Sequence, residues 1–250
     1  MVNYKNFILL ISVVFFALSK NTFSQLGAKV NFGAGIITTN ILGENRAKMP
    51  IGPTAIEGDA FIGGSFKNAQ PGIQAKATFL FDSNPDIRFV TALDYMFFSG
   101  KERYGIPPNV NIAYEHSLNI GAFGLGVEYV WANLDFANAK LYTGLDLKAF
   151  YVHNIYGVEK IRYLDRFKED DIYEFPVKDN ALRFGGNVKL GVEGKLRDKF
   201  FVNAGVNIGI MNLIGRDNER GELLTPLPIF ESEENMLSVL QVFILIQYNL

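Results

Sequence analysis

From about residue 25 onward the chain alternates apolar and polar residues with a period of two, the spacing of a strand that buries one face. Val30, Phe32, Ala34 and Ile36 oppose Lys29, Asn31, Gly33 and Gly35; Ile73, Ala75, Ala77, Phe79 and Phe81 oppose Gln74, Lys76 and Thr78. Phe89, Thr91, Leu93, Tyr95 and Phe97 then oppose Arg88, Val90, Ala92, Asp94 and Met96. A fourth run sets Phe123, Leu125, Val127, Tyr129 and Trp131 against Gly124, Gly126 and Glu128. Upstream of it Leu118 and Ile120 fall out of phase, which predicts a bulge or a shorter strand there. Leu141, Thr143, Leu145, Leu147 and Ala149 form the fifth run, against Tyr142, Gly144, Asp146 and Lys148. In the sixth, Leu182, Phe184, Val188, Leu190, Val192 and Leu196 face away from Arg183, Gly185, Asn187, Lys189, Gly191 and Glu193. Phe200, Val202, Ala204, Val206, Ile208 and Ile210 alternate with Asn203, Gly205, Asn207 and Gly209. The eighth run is Leu240, Val242, Ile244, Ile246, Tyr248 and Leu250. Helical spacing fits none of them.

The connections alternate long and short. About thirty residues (40–70) precede Ser83-Asn84-Pro85-Asp86, and about seventeen (100–116) precede a turn near 133–138. About twenty-seven (154–180) lead to Arg197-Asp198-Lys199, and about twenty (214–234) lead to the last run. A soluble sandwich has no reason to alternate so regularly. Long loops on one side and short turns on the other predict an all-β fold, an eight-stranded antiparallel transmembrane β-barrel with short periplasmic turns and long extracellular loops.

Periodicity alone does not say which face points inward, so composition and charge enter here. The polar face is rich in glycine and asparagine, as a narrow lumen requires. Its charges nearly balance: Lys29, Lys76, Arg88, Lys148, Arg183 and Lys189 against Asp94, Glu128, Asp146 and Glu193. Charges taken out of water must pair, so these ten are predicted to form a lumen charge network. On the apolar face, Phe81, Phe89, Tyr129, Trp131, Phe200 and Tyr248 cluster at one end and Tyr95, Phe97, Tyr151 and Phe184 at the other, the places of two interfacial girdles. The apolar side therefore faces lipid.

The first residues fit export. Lys5 precedes an apolar run over 7–18, followed by Ser19, Lys20, Asn21 and Thr22, the three-part form of a signal peptide with cleavage after Ser24. The expected organisation is a signal peptide over 1–24 and a barrel domain over 25–250. The run at 7–18 is too short to span a bilayer as a helix. Cysteine is absent, which excludes disulfides and a lipoprotein anchor, and a net charge of −2 gives no nucleic-acid partner.

The final run carries a further pattern: Val242, Ile244, Ile246, Tyr248 and Leu250 alternate to the end of the chain, with Tyr248 third from last. With the eight runs, this resembles the OmpA/OmpX-like small outer-membrane barrels, the outer membrane protein beta-barrel domain proteins labelled porin-family or PorT-like. Leu250 departs from the aromatic last residue more usual there. The resemblance implies the cell outer membrane of a Gram-negative envelope, contact with membrane lipid and lipopolysaccharide, and insertion by the outer-membrane barrel assembly machinery. It carries no catalytic motif, cofactor or metal site.

Candidate chemistry is sparse. His116 and Ser117 are adjacent, so they point to opposite faces of a strand and do not make a base–nucleophile pair. For the second histidine, His153, pairing with a serine distant in the sequence stays open. Acidic stretches at 165–174 and 231–234 lack ligand spacing and read as solvated loops. Gly33, Gly35, Gly124 and Gly126 precede no helix, so they are not phosphate loops. Ile51, Ile56, Phe61, residues 223–227, Ile229 and Phe230 are apolar pieces in the long loops that fold over the mouth or meet a partner. The function expected is non-enzymatic: a structural or surface-interaction barrel whose charges pack a closed lumen. A small porin-like passive channel and a PorT-like component of a secretion or assembly machine remain as alternatives.

Overall fold

The computed structural model describes residues 28–52, 63–81, 83–106, 110–164, 168–216, 219–227 and 234–250. The signal-peptide segment lies outside them, as do Ile56, Phe61, Ile229 and Phe230. Nine strands follow in order: β1 (Ala28–Ile41), β2 (Gln70–Phe81), β3 (Asn84–Ile106), β4 (Val110–Leu134), β5 (Ala139–Tyr163), β6 (Asp171–Glu174), β7 (Ala181–Arg197), β8 (Phe200–Ile214) and β9 (Ser238–Asn249). No helix among the described residues is long and apolar enough to cross a membrane, which says nothing of a crossing by strands.

All pairings are antiparallel, and the order β4-β3-β2-β1-β9-β8-β7-β5 returns to its start through β4–β5. Each of these eight strands thus has a partner on both sides, so none of the eight is a free edge. The first and last meet in register: Asn31 opposite Asn249, Ala34 opposite Ile246, Ile41 opposite Val239. At this seam a β-carbon on Gly35 would stand 2.0 Å from the Ile244 carbonyl oxygen, so the backbones approach more closely than any other residue permits. The ninth strand, β6, pairs only with the upper part of β5.

The structure corrects the expected loop lengths. Residues 100–116 are mostly strand: β3 and β4 stay paired out to Ile106 opposite Val110, and β4 and β5 out to Val110 opposite Tyr163. These strands are 23, 25 and 25 residues long, where about 9–11 suffice to cross a bilayer. Their outer thirds carry Lys101, Arg103, Glu115 and Lys160 on the outward face, so the apolar marker of a strand is missing although the ladder continues.

The short connections follow local rules. A single 3-10 turn (Phe136–Asn138) joins β4 to β5, with Ala137 and Asn138 at positive φ, and Asp198 at positive φ turns β7 into β8. Between β1 and β2 the chain makes a 3-10 turn (Arg46–Lys48) capped by Asn45, whose side-chain oxygen accepts from the Ala47 amide at 2.9 Å. The chain then re-enters the sheet interior at Gly63–Phe66. There Gly64 lies against Gly100 of β3 so tightly that a β-carbon on Gly100 would meet the Gly64 oxygen at 2.3 Å.

Candidate functional site

Two faces of the sheet differ in chemistry. Outward, every strand of the circuit exposes a large apolar side chain at mid-height: Ile36, Ile73, Leu93, Leu125, Leu145, Leu190, Ile208 and Ile244. Leu147 is 76% exposed and Leu145 65%. The aromatics bracket this band, with Phe81 on Phe89 and Phe200 on Tyr248 at the end where β1 begins and β9 finishes. Tyr95 packs on Phe97, and Tyr151 stacks on His153, at the other.

Inward, the half of the interior nearer the start of β1 holds the ions. Glu128 accepts from Lys76 at 2.6 Å and Lys189 at 3.0 Å, and Lys189 also reaches Asp146 at 2.9 Å. Lys148 donates to Asp94 at 2.5 Å, whose other oxygen takes the Gln74 amide at 2.6 Å. Arg88 meets Glu193 at 3.1 Å across the interior. Nine of the ten residues of the expected network therefore lie buried. Lys29 does not: it stands exposed at the start of β1, because the strand has reached the mouth of the sheet there. Glycines make the room these long side chains need. Gly124 faces the Lys148 stem, and a β-carbon on Gly191 would collide with the Tyr142 ring at 2.4 Å.

Tyr142 is the member of this cluster that sequence reading placed on the polar face without assigning it a role. Fully buried, it donates to Asn203 at 2.6 Å and carries Lys76 over its ring at 5.1 Å. The signal was there as the one aromatic residue among the polar positions of the fifth run. Glu234 was missed for the opposite reason, being counted in a solvated acidic loop. It is buried and takes Arg183 in a fork, at 2.7 Å from Nη2 and 3.0 Å from Nε, with Asn212 donating at 2.8 Å.

The other half of the interior is mostly apolar, packed around the Arg183–Glu234 pair. Ile37, Met96, Phe98, Leu118, Ile120, Phe150, Val152 and Met211 point inward, and Ala47, Phe66, Leu223 and Leu224 descend from the loops to pack on them. The irregularity expected near Leu118 is present as a register shift between Ser117 and Asn119, with the extra residue on β5 beside the positive-φ Asn154. Within β4, Leu118 and Ile120 keep the inward phase of Ala122 and Glu128, so the change read from the sequence is one in the polarity of the interior. Phe66 packs on Phe98 and on the buried His116. Ile51 is buried beside Tyr114, and its carbonyl accepts from Tyr104. Lys178, between β6 and β7, ties the second loop piece down by donating to the Glu222 carbonyl and the Thr225 hydroxyl, both at 2.6 Å. Burial, with Arg220 nearby, pushes its ammonium down to about 7.

The two histidines sit apart, His116 inside and His153 outside between Tyr95 and Tyr151. Among the described residues no group of three or more His, Cys, Asp or Glu is placed to hold a metal ion. In β9, Val242, Ile244, Ile246, Tyr248 and Leu250 all lie exposed on the outward face.

No family model matches the chain, and no curated protein sequence does. Among solved structures it is similar to Neisserial surface protein A, at 12% identity and a TM-score of 0.41, over 89% of this chain and 96% of that one. It is also similar to Ail, the attachment invasion locus protein of Yersinia pestis, solved with the heparin analogue sucrose octasulfate, at 9% identity and a TM-score of 0.42, over 89% and 99%. The P. putida toluene transporter TodX follows at 9% identity and a TM-score of 0.21, over 89% of each chain. All three likenesses are at low identity.

Proposed function

We propose that this chain is a non-enzymatic integral protein of the bacterial outer membrane, in which the circuit of eight strands is a closed transmembrane barrel with a sealed interior. One observation carries the reading: the outward side chains at mid-height are apolar and exposed on every strand of the circuit, while the ions are inside. In water each half-exposed Leu, Ile or Val would forfeit about 1 kcal/mol of burial, and lipid removes that cost around the whole ring. Closure supplies the backbone partners that a bilayer cannot. The end where β1 begins and β9 finishes, with the short turns, faces the periplasm, and the long hairpins face outward.

Export by a signal peptide over 1–24 and insertion by the barrel assembly machinery through β9 belong to the same reading. Fractionation of the processed chain with outer membranes, together with heat-dependent gel mobility, tests it; recovery as a detergent-free periplasmic species refutes it.

The interior favours a structural and surface-interaction role over a passive channel. Paired ions fill its periplasmic half, and an apolar core closed by loop residues 47, 66, 223 and 224, with the Arg183–Glu234 pair among it, fills the rest. An eight-stranded barrel has room for side chains and little else. Planar-bilayer recording on refolded protein is expected to show no steady conductance, and a reproducible open level would return the channel reading. The hairpins of β3, β4 and β5 then present the surface through which partners are met, and a pull-down with and without them tests that role.

A further inference from the structure

One titratable group inside the outer mouth takes no part in the ion network. His116, on β4 opposite Gly100 of β3 and Gly157 of β5, lies beyond the apolar band and is 1% exposed. Its ring packs on Phe66 at 5.1 Å with the Gly64 backbone beside it, yet neither ring nitrogen makes a full hydrogen bond among the described residues. Two residues further out, β3 brings Glu102, held by Lys67, and β5 brings Glu159, which takes the Tyr114 hydroxyl at 3.2 Å. The β6–β7 connection brings Lys178, with Arg220, Glu222 and Glu234 beyond it. On β4 itself Glu115 points the other way, to Lys101 and Lys160. None of these carboxylates hydrogen-bonds the ring, and Lys178 opposes its charge.

The segment over the ring has no slack. The amides of Gly64, Ser65 and Phe66 donate to the carbonyls of Arg46, Met49 and Ala47 at 3.2, 2.9 and 2.9 Å. A β-carbon on Gly64 would stand 2.6 Å from the Leu224 carbonyl oxygen and 2.9 Å from that of Ala47. An imidazolium carries two N–H donors and needs an acceptor for each. Burial without them disfavours the charged ring, and backbone packed this closely has to separate before water can supply them.

We infer that His116 is an acid-released catch: protonation of its ring lifts the segment 63–66 from the mouth, and with it Leu224, whose backbone rests on Gly64. Burial holds the ring down to about 4 from an ordinary 6.5, Lys178 adds to the effect, and the Gly64 backbone opposes it. A base depressed in the docked state weakens docking as pH falls, so the segment loses its hold between pH 6.5 and pH 4. From pH 7 to pH 4.5 the docking equilibrium falls by about 60-fold. Lys178, at about 7 against 10.5, acts in a higher window and contributes only about twofold over the same step. The catch adds a conformational switch to the sealed barrel proposed above: neutral medium keeps the outer mouth closed, and mild acid exposes the apolar lining beneath.

The test uses the full chain refolded in phosphatidylcholine nanodiscs, with heat-dependent gel mobility checked first; failure to fold there refutes the barrel reading, whereas folding without the pH response below refutes the catch alone. Hydrogen exchange is followed at the Gly64, Ser65 and Phe66 amides at pH 7 and pH 4.5, corrected for intrinsic rates. Their protection should fall by about 60-fold, while the ladder amides of Thr91 and Leu93 keep theirs. His116→Phe and His116→Gln, one apolar and one polar but neither able to titrate, should cut the fall to about threefold or less. Lys178→Met should keep most of it. Unchanged protection in the native chain, the same fall in both histidine variants, a fall abolished by Lys178→Met, or a loss shared by the ladder amides overturns the proposal.

Discussion

Replacing Glu128 with alanine takes the shared carboxylate out of the buried ion cluster while leaving both lysines in place. Lys189 keeps Asp146 at 2.9 Å, so the loss falls on Lys76, which bridges no other carboxylate within 4 Å among the described residues and keeps the Tyr142 ring at 5.1 Å. Breaking a buried pair from one side costs about 3–5 kcal/mol, because an uncompensated charge remains. In a Lys76→Met background the same replacement strands no charge, so its cost should fall by about 2–3 kcal/mol, the coupling of residues in one network. The assay is urea unfolding in lipid vesicles followed by the fluorescence of Trp131, the single tryptophan, which sits on the outward face three residues along β4. A loss below about 1 kcal/mol, or an equal loss in both backgrounds, would mean that water reaches these side chains, and the sealed interior would be wrong.

Three further outcomes follow from the same geometry. Leu190→Arg puts a cation at mid-height on the lipid face and should cost about 2–4 kcal/mol of folding in a bilayer; a neutral effect there removes the face assignment. Gly35→Val forces a side chain into the Ile244 carbonyl at the β1–β9 seam and should destabilise by about 1–3 kcal/mol or more, seen as a lower urea midpoint and lost heat-dependent mobility. Lys178 has a folded value near 7 against an ordinary 10.5, so the unfolded state binds the extra proton between those values and docking of residues 222–227 strengthens as pH rises through that window. Hydrogen exchange of that segment at pH 7 and pH 9, corrected for intrinsic rates, should show it, and Lys178→Met should abolish the difference.

The outward apolar set was legible residue by residue, because an outward apolar face asks of each position only that it be apolar, and a period of two reports that directly. The inward charges were legible as a nearly balanced set, six basic to four acidic, from which the structure removes Lys29 and to which it adds Glu234. Their pairing was not: Arg88 and Glu193 are 105 positions apart, and Arg183 finds Glu234 on a segment that reads as a solvated loop. Sequence also divides strand from loop by the disappearance of apolar residues, so it cut β3, β4 and β5 where the outward side chains turn from apolar to polar and charged.

What the sequence determined alone is the alternation, the two aromatic edges and the inventory of charges, all properties of a residue and its near neighbours. Tertiary structure decided which strands meet, that the interior changes halfway up from a mainly ionic to a mainly apolar filling around the Arg183–Glu234 pair, and that Ala47, Phe66, Leu223 and Leu224 close it. Each of those depends on segments that approach only once the sheet has curved round on itself, and no local pattern encodes that approach.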